Sequence, residues 1–241
     1  EGQVIPGKVP CSGAVMRMSL DGGTPELYAW GLRNPFGLTF DKQGKLFLTE
    51  NGMDTRGSRP GYGNSDVLWE IQKGKWYGWP DFTEGRLLSD KDYKTPHDDP
   101  KLLLKAIPSQ PPSPVALLGV NSSSNGLAFS PGASFGYNDQ VFIAQFGDMS
   151  PEVGKIYGPI GFKVIRVDPK TGDIQDFAVN KGKRTAPATE LKSKGLERPI
   201  DVGFDNNGNM YVVDFGIMPV SKKGAIPIKG TGGIWKISKL K

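Results

Sequence analysis

Apolar and polar positions alternate with a period of two in three stretches of the chain, and the three stretches repeat one another. The first runs Arg33-Asn34-Pro35-Phe36-Gly37-Leu38-Thr39-Phe40-Asp41 and resumes at Gly44-Lys45-Leu46-Phe47-Leu48-Thr49-Glu50. The second is Asn125-Gly126-Leu127-Ala128-Phe129-Ser130, resuming at Asp139-Gln140-Val141-Phe142-Ile143-Ala144-Gln145. The third is Arg198-Pro199-Ile200-Asp201-Val202-Gly203-Phe204-Asp205, resuming at Gly208-Asn209-Met210-Tyr211-Val212-Val213-Asp214. Period two places Leu38 with Phe40, and Val202 with Phe204, on one face of a strand. The second half of each unit is a β-branched or aromatic run, which favours a strand. Between the halves, Asp41-Lys42-Gln43-Gly44 and Asp205-Asn206-Asn207-Gly208 read as hairpin turns in which glycine supplies a positive φ.

A third strand is expected after each pair, at Val67–Ile71, Lys163–Val167 and Ile234–Ile237. A further copy, Ala14–Met18, stands near the start with no pair before it, and Asp173–Val179 reads as an outer fourth strand. Four antiparallel strands per repeat make the blade of a β-propeller. The fold class expected is therefore all-β, a β-propeller of four-stranded antiparallel blades. The segments 42–66, 83–121 and 146–161 read as long loops, and their uneven lengths argue against a short-period propeller. By the phase of the repeat, the chain starts at the third strand of one blade and ends at the third strand of another. Residues 1–241 are thus expected to form a single partial propeller domain of two full and two partial blades. Its N-terminal blades, or a second copy of the chain, would close the ring.

Composition narrows the reading further. The 33 glycines and 20 prolines among 241 residues suit short strands and turns and argue against a helical protein. No apolar run is long enough to span a membrane. The single cysteine, Cys11, excludes an internal disulfide framework. The net charge of +5 is spread over lysines. The clusters at Lys222 and Lys223 and at Lys236, Lys239 and Lys241 have no interleaved aromatic platform, so nucleic-acid binding is not expected. The single histidine, His97, lies between prolines in Thr95-Pro96-His97-Asp98-Asp99-Pro100 and reads as a surface loop residue. Trp69, Trp76, Trp79 and Trp235 are expected to pack within blades, and Asp201 and Asp214 to fix turns.

Four motifs carry a family resemblance: Gly31-Leu32-Arg33-Asn34-Pro35-Phe36-Gly37-Leu38, Glu50-Asn51-Gly52, Asn64-Ser65-Asp66 and Tyr77-Gly78-Trp79-Pro80. Together with the repeats, they resemble the glucose/sorbosone dehydrogenases. That resemblance implies a six-bladed propeller, of which this chain would be about half, with pyrroloquinoline quinone (PQQ) and Ca2+ as cofactors. It also implies a periplasmic, secreted or cell-surface location, and oxidation of a sugar or aldehyde by hydride transfer to the quinone. On matching positions, Arg33, Asn34 and Arg198 would bind the cofactor. A guanidinium suits a planar tricarboxylate through charge-assisted hydrogen bonds. Asp66 and Glu50 would bind the metal, with Asp54 a further oxygen donor, since calcium takes hard oxygen ligands. The chain departs from the family pattern at Phe36, at Ile200 and at Gln145-Phe146-Gly147-Asp148, where a lysine is expected. The general-base histidine is expected upstream, so no catalytic residue is assigned in this chain. The alternative is a catalytically degenerate propeller that serves as a cell-surface binding or scaffold module.

Overall fold

The structure, a computed structural model, describes residues 12–54, 59–93, 100–149, 160–221 and 224–239. Cys11, His97, Lys222, Lys223 and Lys241 lie outside the described residues.

Strands β1 (Ala14–Ser19) and β2 (Gly22–Trp30) form a two-stranded sheet, and the end of β2 is bridged to Trp76. The first full blade follows: β3 (Pro35–Phe40), β4 (Leu46–Glu50) and β5 (Ser65–Ile71), then a small hairpin of β6 (Phe82–Thr83) and β7 (Arg86–Leu87), then the outer strand β8 (Ala116–Val120). The second blade is β9 (Ser124–Phe129), β10 (Val141–Gln145), β11 (Lys163–Val167) and β12 (Ile174–Ala178). The third holds β13 (Pro199–Phe204) and β14 (Met210–Asp214); after another short hairpin, β15 (Val220–Ser221) and β16 (Gly224–Ala225), it adds β17 (Gly233–Ile237). Pairing within each blade is antiparallel. The chain is therefore all-β and builds consecutive propeller blades, as the repeat predicts. Two longer strands were not expected, nor were the short hairpins β6–β7 and β15–β16. β2 opens with Gly-Gly-Thr-Pro, which masks its alternation, and β8 lies inside the stretch read as a loop.

The core consists of layers between blades. Phe47, Leu68, Ala116 and Leu118 of the first blade meet Leu127, Val141, Ile143, Ile165 and Val167 of the second. The second blade's other face, with Phe142, Ala144 and Val164, meets Val202, Met210 and Val212 of the third. The sheets of the first two full blades are apolar on both faces, and the neighbouring sheets supply the cover. The inner strands approach closely at glycine. A Cβ on Gly37 would stand 2.5 Å from Leu127 Cδ2 and 2.6 Å from Asn125 O, and one on Gly126 would stand 2.7 Å from the Asp201 Cα.

Register makes Leu38, Leu127 and Val202 equivalent, since they pair with Leu48, Ile143 and Val212 in turn. Leu127 and Val202 are 6% and 5% exposed, whereas Leu38 is 55% exposed and Phe40 65%. The cause is geometric. The β1–β2 sheet covers Leu46, Leu48, Trp69 and Ile71 with Ala29, Val15 and Tyr28, but offers no inner strands to cover β3. At the other end, Ile234 is 70% and Trp235 43% exposed, so Trp235 is less covered than the packing role expected of it. Trp69 and Trp76 are buried as expected.

This asymmetry gives a direct test. Leu127→Ala should lower the unfolding free energy by about 2–5 kcal/mol, the usual cost of such a cavity. The equivalent Leu38→Ala should change it by less than about 0.5 kcal/mol. Urea unfolding of the two variants measures both; equal losses would mean that β3 is covered in solution.

Candidate functional site

At one end of the blades, the entry to each inner strand sits beside the exit of the second strand. Pro35 pairs with Glu50, Ser124 with Gln145 and Pro199 with Asp214. Asn51 Nδ2 donates to Ser124 O at 2.8 Å and Arg198 Nη1 to Phe146 O at 3.3 Å, which stitches the three ends into one face.

A buried carboxylate holds each entry loop. Glu50 Oε1 accepts the Arg33 N–H, and the Asn34 N–H joins it. Its Oε2 accepts Trp69 Nε1–H at 2.7 Å. Burial raises the Glu50 pKa in spite of these donors. Asp214 repeats the arrangement two blades on: it accepts the Glu197 N–H at 2.8 Å, the Arg198 N–H at 2.9 Å and Trp235 Nε1–H at 3.2 Å. For the second blade the carboxylate comes from the first. Asp66 Oδ2 accepts the Ser124 N–H and Ser122 Oγ–H, both at 2.8 Å, while Oδ1 accepts the Gly52 N–H at 2.9 Å. Asp66 is 2% exposed, and burial pushes its pKa up to about 6.

Between these loops lies an open hollow of about 70 Å3, lined by Arg33, Asn34, Asn51, Gly52, Asp54, Asp66, Asn121, Ser123 and Met149. Arg33 Nη1 donates to Gly52 O at 2.8 Å, its Nη2 stands 4.0 Å from Asp54 Oδ1, and the guanidinium lies 5.8 Å from the Trp79 ring centre. The adjoining wall is the β6–β7 hairpin. There Glu84 accepts the Ser65 N–H at 2.8 Å and the Tyr93 O–H at 2.6 Å.

Of the expected site residues, Arg33, Asn34 and Asp66 line this hollow; Glu50 is close by but faces Trp69 and the chain's own N–H groups. Arg198 is elsewhere. It is 5% exposed, its guanidinium lies 5.0 Å from both the Phe146 and Phe162 ring centres, and it donates to Met218 O and to carbonyls of 146–148. Asn121 and Ser123 were missed by sequence reasoning. Both are left-handed, with φ of 57° and 50°, in a tight β8–β9 link. A run of small polar residues between two strands is the signal that could have found them, because asparagine tolerates that conformation.

The donors suit an oxygen-rich anion: one guanidinium, the Asn34 amide, and Asn121 Nδ2, which is buried with no hydrogen-bond partner among the described residues. They suit calcium less well. Both oxygens of Glu50 and of Asp66 already accept the chain's own donors, and Gly52 O accepts Arg33. Among the described residues, no group of three or more His, Cys, Asp or Glu side chains converges on a metal position.

Antiparallel blades around a shared end, with a polar hollow at the strand entries, define a β-propeller protein. The Glucose / Sorbosone dehydrogenase family model matches residues 6–147, and the chain belongs to that family. Its fold is similar to the PQQ-bound aldose sugar dehydrogenase of Streptomyces coelicolor, with 20% identity, a TM-score of 0.55, and coverage of 93% of this chain and 51% of that one. A structure described as glucose dehydrogenase gives 21% identity, a TM-score of 0.54, and 95% and 55% coverage. The PQQ domain of Coprinopsis cinerea pyranose dehydrogenase gives 17%, 0.50, and 79% and 53%. The chain thus spans about half the length of these structures. No curated protein sequence matches it. No helix among the described residues is long and apolar enough to cross a membrane.

Asp66 gives a second test. Its folded pKa of about 6 lies above its ordinary 3.8, so folding favours the protonated form. Stability from this group is therefore fully present below about pH 4 and is lost as pH rises through 6, by about 3 kcal/mol at most. Carbon-13 NMR of the aspartate carboxyls should show one midpoint near 6 that vanishes in Asp66→Asn. If every aspartate titrates near 4, water reaches Asp66.

Proposed function

We propose that this chain forms the C-terminal blades of a PQQ-dependent dehydrogenase that oxidises a sugar or aldehyde, acting in the periplasm, outside the cell or at its surface. The observation that carries this reading is the donor set on the hollow: Arg33, Asn34 and the unpaired Asn121 amide, in a chain of this family. PQQ would supply the two-electron acceptor for hydride from the substrate. Arg33 would hold one of its anionic oxygens in a planar, charge-assisted contact, with Gly52 O and Asp54 fixing the guanidinium. Asn34 and Asn121 would donate to neighbouring oxygens. Trp79 would shield the site from water on the Arg33 side. The general base is expected from blades upstream of this chain.

Arg198 supports the site from below, bracing the 146–148 carbonyls beside Met149, instead of touching the cofactor. Asp66 and Glu50 would serve the entry loops in place of calcium, because their oxygens already accept the chain's own donors. The exposed Leu38 and Phe40 support the partial-propeller reading, with upstream blades, or a second copy, covering β3. The inward placement of Arg198 also favours the alternative, a propeller that keeps the fold as a binding module without redox chemistry.

Quinone titration followed by absorbance separates the two. This chain alone should bind PQQ weakly and the full-length protein tightly. Arg33→Ala should weaken either by at least about tenfold, the value of one charged hydrogen bond. Full-length protein that ignores PQQ would leave the binding-module reading.

A further inference from the structure

We infer that Glu50 is a positioning residue, which aims Arg33 and Asn34 into the hollow; this rests on the quinone reading of that hollow. The inference comes from comparing the three entry loops. The same device recurs at each: a carboxylate buried to 8%, 2% or 5% exposure, at Glu50, Asp66 and Asp214, takes the N–H groups just before an inner strand. Two of the three are matched further, because a tryptophan on the third strand, two residues past the acid's cross-strand partner, anchors the second oxygen. Glu50 pairs with Val67 and bonds Trp69, while Asp214 pairs with Gly233 and bonds Trp235. The backbone exchange beside them also matches, since the Asn51 N–H donates to Asn34 O as the Phe215 N–H donates to Arg198 O.

These equivalences fix what the carboxylate does and what differs. At Asp214 the clamped loop carries Glu197 where Arg33 stands and Arg198 where Asn34 stands, and Arg198 turns inward between two phenylalanine rings. At Glu50 the clamped loop carries Arg33, which stays on the hollow with a 22% exposed side chain. The Arg33 side chain and its own N–H are thus held from opposite ends, by Gly52 O and by Glu50. Two peptide N–H groups fixed in this way leave Arg33 and Asn34 little freedom to point elsewhere. A residue that ligated a ligand directly would need a free oxygen, and Glu50 has both engaged.

Glu50→Gln is the informative change, because an amide offers one acceptor where two opposed donors, the Arg33 N–H and Trp69 Nε1–H, each need one. Hydrogen exchange and PQQ titration into the high-micromolar range should be measured on the full chain, with Arg33→Ala and Ile165→Val beside it. Ile165 lies in the second-blade core, so its variant reports the effect of lost stability alone. The expected result is at least tenfold faster exchange at residues 33 and 34 in Glu50→Gln. Quinone affinity should fall at least tenfold in both Glu50→Gln and Arg33→Ala, with no change in Ile165→Val. Quinone binding that Arg33→Ala loses and Glu50→Gln keeps would overturn the positioning role while leaving the quinone reading intact. An affinity loss shared equally by Ile165→Val would reduce Glu50 to a stability residue and overturn it as well. If no variant, nor the unaltered chain, binds quinone, the quinone reading fails and takes this inference with it, whatever the exchange shows.

Discussion

The entry of each inner strand depends on a buried carboxylate that accepts backbone N–H groups. An inner strand must leave its loop close to the shared end of the blades, where there is little water and no adjacent strand to take those donors. Leaving them bare would cost about 1–3 kcal/mol each. A carboxylate answers two or three at once, and charge makes each bond stronger than its neutral counterpart. Desolvation works against it, which is why burial lifts the pKa of Asp66 and of Glu50. The arrangement holds because several donors converge on each acid, so the charge is compensated locally by N–H dipoles instead of by a cation.

Most of the fold was legible because alternation of period two marks the inner strands, and short apolar runs such as Val141–Ala144 mark strands covered on both faces. The three repeats fall on β3–β4, β9–β10 and β13–β14, and the expected third and outer strands fall on β1, β5, β11, β12 and β17. What alternation cannot report is which face has a neighbour. Leu38 and Leu127 read alike, yet their exposures differ by their place in the row of blades. Strands β2 and β8 were hidden for a local reason: β2 begins with residues that usually mark turns, and β8 follows a Pro- and Ser-rich stretch whose composition dominates its surroundings.

The site was legible in membership and not in direction. The resemblance selected Arg33, Asn34, Glu50 and Asp66, and the structure gathers all four at one end of the first blade. The resemblance gave both acids an oxygen-donor role toward metal. Their actual partners are N–H groups at 2.8–2.9 Å for Asp66, and the Arg33 backbone and Trp69 for Glu50. An aspartate at a strand entry satisfies a backbone or a cation with the same lone pairs, and only the geometry of the loop opposite decides between them.

The two arginines make the same point with the opposite charge. Arg33 and Arg198 both sit at inner-strand entries beside a clamping acid, and neither makes its closest contacts with that acid's oxygens through its guanidinium. For Arg198 the surroundings are two phenylalanine rings and a row of carbonyls, which can stabilise a buried cation without a carboxylate partner. For Arg33 they are one carbonyl, Asp54 at 4.0 Å and an indole 5.8 Å away, a looser set open to the hollow. A guanidinium carries five N–H donors. One whose protein partners do not enclose it can take a ligand oxygen without first breaking its supports. Arg198 stands at the register position of Asn34, one residue on from that of Arg33, so the two arginines leave the chain at different points of equivalent entries, and one becomes a structural cation while the other faces the hollow.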